Sequence, residues 1–372
     1  MRHRILLLLL LGSFTAGAQQ PHSHQTGRPI RFPSFGGFTT LVCDFHQHTV
    51  FSDGSVWPDI RIKEALMDGL DAISLTEHLE YQPHKEDIPH PDRNRSYQLA
   101  LKEAKDHGLV VVNGSEITRR MPPGHNNAIF LSDANKMLVV DSVEVFREAR
   151  KQGAFIFWNH PNWTAQRRDG MATITDMHRM LIRDKLLDGI EVVNDQTYSD
   201  EALQLALDHQ LTIMSNSDVH QLVDWDFKVP QGGHRPVTLV FAREKTESSI
   251  REALFERRTV AYYRDLLIGR DEYLLPLLHA SVRIKEARYP AKSDVLTVII
   301  ENLTPSPMTL LNRTGLTFHN NADIIVLKPG ESNELLVKTL QRVTDLTLRF
   351  EVLSAINAPK RHPEIRLAVQ VQ

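Results

Sequence analysis

Histidines and carboxylates recur along this chain in short motifs that each close an apolar run: HQH (His46, His48), SDG (Asp53), TEH (His78), GSE (Glu116) with GHNN (His125), WNHP (His160) and SNSDVH (Asp218, His220). Imidazole and carboxylate are metal ligands, and their spacing suits that use. His46 and His48 stand two apart at a strand end, so both rings leave one face and can share an ion. Asp218 and His220 repeat the spacing. Asp53 follows in the next loop, and His78, closing the next strand, can meet it at a second ion. Glu116 can bridge two ions, as an imidazole cannot, with His125 and His160 supplying nitrogen on its far side. Mixed imidazole and carboxylate ligation without thiolate suits Zn²⁺, Mn²⁺ or Fe²⁺ in a catalytic site. One multinuclear centre, and hence a metal-dependent hydrolase, is the expectation.

The elements that must position these groups alternate between strand and helix. The pattern predicts strands at 41–45, 72–75, 109–112, 127–131, 154–158, 189–193, 212–214 and 237–241. Between them it predicts an amphipathic helix starting at Pro58 and marked by Ile60, Ala65, Leu66 and Leu70, then helices near 96–107, 143–149, 175–187, 199–209 and 247–257. Repeated strand-helix units with apolar strands indicate an α/β fold with a parallel sheet or barrel, whose C-terminal face carries the chemistry. From about Leu278 the pattern turns β-rich, separated by Pro305, Pro307, Gly330 and Pro359, which reads as a small all-β, immunoglobulin-like sandwich. The expected organisation is a leader at 1–18, a linker at 19–40, the metal-binding barrel at 41–276 and the sandwich at 277–372.

The leader reading rests on a basic start (Arg2, Arg4), an apolar run from Ile5 to Leu11 and a small-residue end at Ala16-Gly17-Ala18, the pattern of a secretory signal peptide. It predicts a periplasmic or secreted protein. No other apolar stretch is long enough to span a membrane. The chain of 372 residues has a single cysteine, Cys43, which excludes an intramolecular disulfide and reads as a small buried hydrophobe. A formal net charge of -3 advertises no polyanion groove, so no nucleic-acid partner is expected. The oligomeric state is not legible.

The ordered motif set HQH with SDG, then TEH, GSE, GHNN, NHP and SDVH resembles that of the PHP (polymerase and histidinol phosphatase) family, over roughly 41–263. The resemblance implies a distorted barrel of seven strand-helix units with a trinuclear site at its C-terminal face. It further implies that His46, His48, Glu116 and Asp218 hold one ion, Glu116, His125 and His160 a second, and Asp53, His78 and His220 a third. One motif departs from the family: TDH is the commoner form, and here Glu77 takes the acidic place, as an outer partner of the ligands or a proton donor. The leader and β-rich tail are similar to a secreted, histidinol-phosphatase-like branch.

Two to three divalent ions would outweigh the ligand carboxylates and focus an anion, with a small phosphate mono- or diester as the obvious match. Water between two ions would attack phosphorus in line, which makes the ligands Glu116, His160 and Asp218 essential to catalysis. Arg93 and Arg95, in the long loop after His78, and Arg119 with Arg120 are candidates to clamp the phosphate. Trp158, Trp163 and Trp225 are candidates for the pocket wall. An exonuclease and a catalytically silent metal-containing binding protein are the alternatives.

Overall fold

A computed structural model describes residues 28–372. The expected leader and the first part of the expected linker lie outside these residues. The remainder of the linker segment packs on the barrel: Ile30 and Phe32 are buried, and Arg28 pairs with Asp68 at 2.7 Å.

The N-terminal unit is a curled mixed sheet with helices outside. Its strands are β1 (Thr39–Asp44), β2 (Ala72–Leu75), β3 (Val110–Ile117), β4 (Asn126–Ile129), β5 (Phe155–Trp158), β6 (Gly189–Asn194), β7 (Thr197–Tyr198), β8 (Thr212–Asn216), β9 (Val237–Ala242), β10 (Thr259–Tyr263) and β11 (Leu266–Gly269). They run β11-β10-β9-β1-β2-β3-β4-β5-β6-β7, with β8 paired to β6. The pairs β1–β2, β2–β3, β5–β6 and β6–β8 are parallel, as the alternation predicts. β4 corrects that expectation. It runs antiparallel to both neighbours because a short loop, without a helix, joins it to β3. β9 and β10 are likewise antiparallel to their neighbours.

Between β8 and β9 no backbone ladder forms, and threonine hydroxyls lace the gap. Thr238 Oγ1 accepts from Ser215 N and donates to Ser215 O, both at 2.9 Å, and from β10 Thr259 Oγ1 donates to Ile213 O of β8 at 2.8 Å. Buried backbone groups are thereby satisfied without strand pairing.

The first helix, Pro58–Asp68, opens on proline at its first position and ends at Gly69 in the left-handed region (φ 71°). Its buried face carries Arg61, Ile62, Glu64 and Ala65, where the expected stripe of Ile60 and Leu66 is only half-buried. A buried arginine at that register is what the apolar pattern hides.

The C-terminal unit holds β12 (Val282–Arg288), β13 (Val295–Asn302), β14 (Met308–Asn312), β15 (Ile324–Leu327), β16 (Ser332–Lys338), β17 (Asp345–Val352), β18 (Ala355–Ile356) and β19 (Glu364–Gln370). A three-stranded sheet, β12-β13-β16, faces a four-stranded one, β15-β14-β17-β19. In β19 buried and exposed positions alternate, as on the inner face of a sandwich. The prolines at 305 and 307 form the turn their types suggest, and β14 begins directly after it at Met308. The short β18 leaves the sandwich and pairs in parallel with β11 of the barrel. Helix Asp271–Ser281 spans the expected boundary at 276/277, and one apolar cluster joins Val42, Ile62 and Leu274 to Ile300, Phe350 and Val369. Among the described residues no helix is long and apolar enough to cross a membrane.

Candidate metal centre

The strand ends bring the nine expected ligands to one rim. β1 leads directly to His46 and His48, and the following loop folds back to present Asp53. At Gly54 a Cβ would stand 2.6 Å from the His48 carbonyl carbon and 2.7 Å from Thr49 N, so only glycine permits that return. His78 follows β2 and bridges in register to Glu116, the penultimate residue of β3, with Leu79 N donating to Glu116 O at 2.8 Å. Glu116 lies within β3 and not after it, because that strand runs on to Ile117. His125 enters at the start of β4, which reaches the same rim only because β4 is antiparallel. His160 and Asp218 adopt left-handed backbone, with φ of 28° and 51°, a conformation costing about 1–3 kcal/mol that aims both side chains inward.

Glu116 sits at the centre and is fully buried. Its Oε1 is 3.0 Å from His125 Nδ1 and 3.6 Å from His160 Nε2, and its Oε2 is 2.7 Å from His78 Nδ1 and 3.4 Å from His48 Nε2. Asp218 Oδ1 is 3.1 Å from the Nε2 atoms of both His46 and His48. Asp53 takes the outer side, 3.3 Å from His78 Nε2 and 3.2 Å from His220 Nε2.

Three groups have ligating atoms all within 4.8 Å of one another: His48, Asp53, His78 and His220; His46, His48 and Glu116; and His78, Glu116 and His125. His48 and His78 thus each belong to two groups, where the resemblance implied one apiece.

Outer partners orient the rings. His46 Nδ1 donates to Glu191 Oε1 at 2.9 Å, His48 Nδ1 donates to Ser52 Oγ at 3.1 Å, and His220 Nδ1 donates to the Asp218 carbonyl at 2.7 Å. In all three the Nε2 lone pair is left facing the centre, the arrangement found around metal-bound histidines. His46 Nε2, His48 Nε2 and Glu116 Oε2 are buried without a hydrogen-bond partner. Orphaned acceptors of this kind cost about 1–3 kcal/mol each, and a divalent cation would satisfy all three together. The residues therefore fit the ions that the motifs imply.

The electrostatics agree. Burial opposes charge on His78, but Glu116 and Asp53 outweigh it and raise the imidazole to about 11. His220 rises to about 9 against its own burial, through Asp53 and Asp218. Burial and the neighbouring His220 push His48 down to about 3. Although burial would raise the carboxyls, Asp53 is held below the usual range by His220 and His78, and Asp218 by His46 and His48. The rim attracts positive charge wherever a nitrogen can carry it.

A cavity of about 440 Å³ opens over the cluster, lined by ligands on one side and by Trp163, Asn194, Asp195 and Thr197 on the other. The expected phosphate clamp is corrected, because none of Arg93, Arg95 and Arg119 lines it. Arg93 Nε donates to Leu79 O, Arg95 lies beside an outer groove with Trp57, and Arg119 pairs with Glu80 at 2.9 Å and donates to Val139 O. Each guanidinium finds local acceptors before it can reach the rim.

Glu77 does not line the cavity either, which removes the proton-donor role. Its carboxylate accepts from Thr49 N, Thr49 Oγ1 and Ser52 Oγ, the last at 2.6 Å. Through Ser52 it fixes the His48 tautomer, as an outer partner would. Of the tryptophans, Trp163 lines the cavity, Trp158 is buried with its ring stacked 3.9 Å from His178, and Trp225 is exposed.

Three buried polar anchors are not evident from the motifs. Glu191, in the apolar run of β6, accepts from His46, from the His160 amide at 2.9 Å and from Asn216. Arg61 donates to the carbonyls of His48 (3.0 Å) and Val219 (3.1 Å), tying the two ligand pairs together. Asp44, paired with the fully buried Arg235, accepts from Ser217 N and Oγ beside Asp218. A carboxylate inside an apolar strand was the one clue that could have revealed Glu191.

Comparisons with known proteins follow the same lines. A family model described as an Ig-like domain matches residues 282–368. A crystal structure of a two-domain protein from Bacteroides vulgatus, containing a predicted PHP-like metal-dependent phosphoesterase, is 42% identical with a TM-score of 0.87, covering 93% of this chain and 100% of that one. A lesion-specific endonuclease from Pyrococcus furiosus is 18% identical with a TM-score of 0.45, covering 67% of this chain and 62% of its own, too distant to carry an argument. Among curated proteins, an uncharacterized protein of Methanocaldococcus jannaschii is 34% identical over 82 residues, 22% of this chain. That match spans about a third of the relative's length, 34%. High identity over the whole length of the two-domain structure, with the His, Asp and Glu cluster at the strand ends, places this chain in the PHP-like metal-dependent phosphoesterase family, in the form that carries a C-terminal Ig-like domain.

Proposed function

We propose that the chain hydrolyses a small phosphate mono- or diester with two to three divalent transition-metal ions held by His46, His48, Asp53, His78, Glu116, His125, His160, Asp218 and His220. The observation that carries this reading is the convergence of His46 Nε2, His48 Nε2 and Glu116 Oε2, buried and without partners. Bound divalent ions supply Lewis acidity toward a phosphoryl oxygen and acidify water near neutral pH. Glu116 presents an oxygen to each side of the cluster, while Asn159 Nδ2 donates to its Oε1 at 2.9 Å and holds its plane. Asn194 Nδ2 donates to Asp218 Oδ2 at 3.2 Å with the same effect. The burial of His46, His48 and Glu116 would keep bulk water from their side of any ion they held. Export to the periplasm or medium is part of this proposal and rests on the pattern of residues 1–18 alone.

Metal content by mass spectrometry, followed by turnover of p-nitrophenyl phosphate and its bis-ester, tests the reading. Two to three ions per chain are expected, with turnover that falls about a thousandfold in Glu116→Gln. Turnover that survives Glu116→Gln defeats the mechanism. Ions without turnover of either ester, or of a polynucleotide, turn the reading to a binding protein.

A further inference from the structure

The cavity over the metal cluster has two unlike walls. On one side are the ligands. On the other are Asn162, Trp163, Thr164, Asn194, Asp195 and Thr197, and among the described residues no lysine or arginine lines any part of it. Arg167, in the loop that carries Trp163, donates instead to Thr173 O. A phosphoryl group at the ions would meet positive charge there. A second anionic group on the same substrate would meet none.

What it would meet is Asp195. This residue stands at the turn between β6 and β7 in the left-handed region (φ 49°), lines the cavity, is exposed to solvent and forms no ion pair among the described residues. Burial and then the field of Asp218 push its carboxyl up from the ordinary value, which shows that it lies within electrostatic reach of the cluster. Beside it, the side chains of Asn162 and Thr164 form no hydrogen bond among the described residues, and Trp163 is 45% exposed, its ring 5.1 Å from that of His160. Free amide and hydroxyl groups next to an exposed aromatic face suit a neutral, hydroxyl-bearing molecule.

We propose that Asp195 is a specificity-determining residue that bars a second anionic group, so that the substrate is an ester with one phosphoryl group on a neutral, hydroxylated body seated on Trp163. The inference rests on the phosphoesterase reading for the orientation of the phosphoryl group toward the ions.

The test compares glucose 6-phosphate with glucose 1,6-bisphosphate. Binding to the metal-loaded full chain is read by stopped-flow tryptophan fluorescence ahead of turnover, and hydrolysis is followed separately. The wild type is expected to bind the monophosphate at least about tenfold more tightly, and Asp195→Asn to shrink that ratio below about threefold. Asparagine tolerates positive φ, so the turn should survive. As a measurement independent of any variant, raising the salt should shrink the wild-type ratio, because like-charge exclusion at an open mouth is screened. Equal binding of the two sugars, a ratio unmoved by Asp195→Asn, or one unmoved by salt overturns the proposal. If the ratio behaves as expected but neither sugar nor p-nitrophenyl phosphate is hydrolysed, Asp195 keeps its role and the phosphoesterase reading falls.

Discussion

The metal rim and the seam between barrel and sandwich are built on opposite terms. At the rim the buried residues are polar, the half-buried His160 and Asp218 sit in left-handed backbone, and three buried atoms of candidate ligands lack partners. At the seam, helix Asp271–Ser281, β18 and the inner faces of the sandwich join the barrel through apolar side chains such as Leu277, Ile300, Leu310 and Phe350. The rim spends stability on arranging lone pairs, and the seam supplies it. Function and stability are thus separated in space, so damage at one should leave the other readable.

The largest expected effect tests the seam. Phe350 is fully buried, so Phe350→Ala should cost about 3–5 kcal/mol by lost burial and an unfilled cavity. Thermal unfolding should show it, while ions bound per folded chain stay constant. A loss of ions at equal folded fraction would break the separation.

A smaller effect is expected at His178, a histidine that serves packing beneath the rim. Its Nε2 donates to Pro123 O at 2.8 Å, Nδ1 accepts at Thr175, and burial pushes the imidazole down to about 4. An unfolded histidine titrates near 6.5. Between those values the unfolded chain takes up a proton that the folded chain refuses, so stability falls as pH falls from about 6.5 to 4, by about 2–3 kcal/mol in all. His178→Gln should flatten that part of the stability-pH curve relative to the wild type. Unchanged curvature would mean that His178 does not stay neutral.

The smallest effect isolates the support of the rim. Glu191→Gln should weaken ion affinity by about 10–100-fold, since the carboxylate that fixes His46 is lost while the ligands remain. Ion titration against a chelator measures it, and an unaltered affinity would remove Glu191 from the site.

The cluster was legible because a metal would impose residue types, and His46, His48, His78 and Asp218 each close an apolar run that reads as a buried strand. The two-unit architecture was legible from the change in periodicity near Leu278. Strand direction was not, since an apolar segment such as β4 reads alike either way, and here direction decides that His125 reaches the rim from a strand's start. The reach of a side chain was also hidden. Arg93, Arg95 and Arg119 looked poised beside ligand motifs, yet nearby carbonyls and Glu80 hold Arg93 and Arg119, and Arg95 faces another groove. Arg61 was hidden in another way, since the apolar stripe of its helix gives no sign of a charge that lies buried between the segments of His48 and Val219.

The shared apolar cluster has a consequence for the order in which the molecule is made. It unites Val42 and Ile62, near the beginning of the described chain, with Ile365, Leu367 and Val369, almost the last residues. A nascent chain therefore cannot close this cluster until Val369 has emerged, and long-range contacts of this kind form late. Barrel and sandwich are separate architectures that share one core, and β19 supplies part of it.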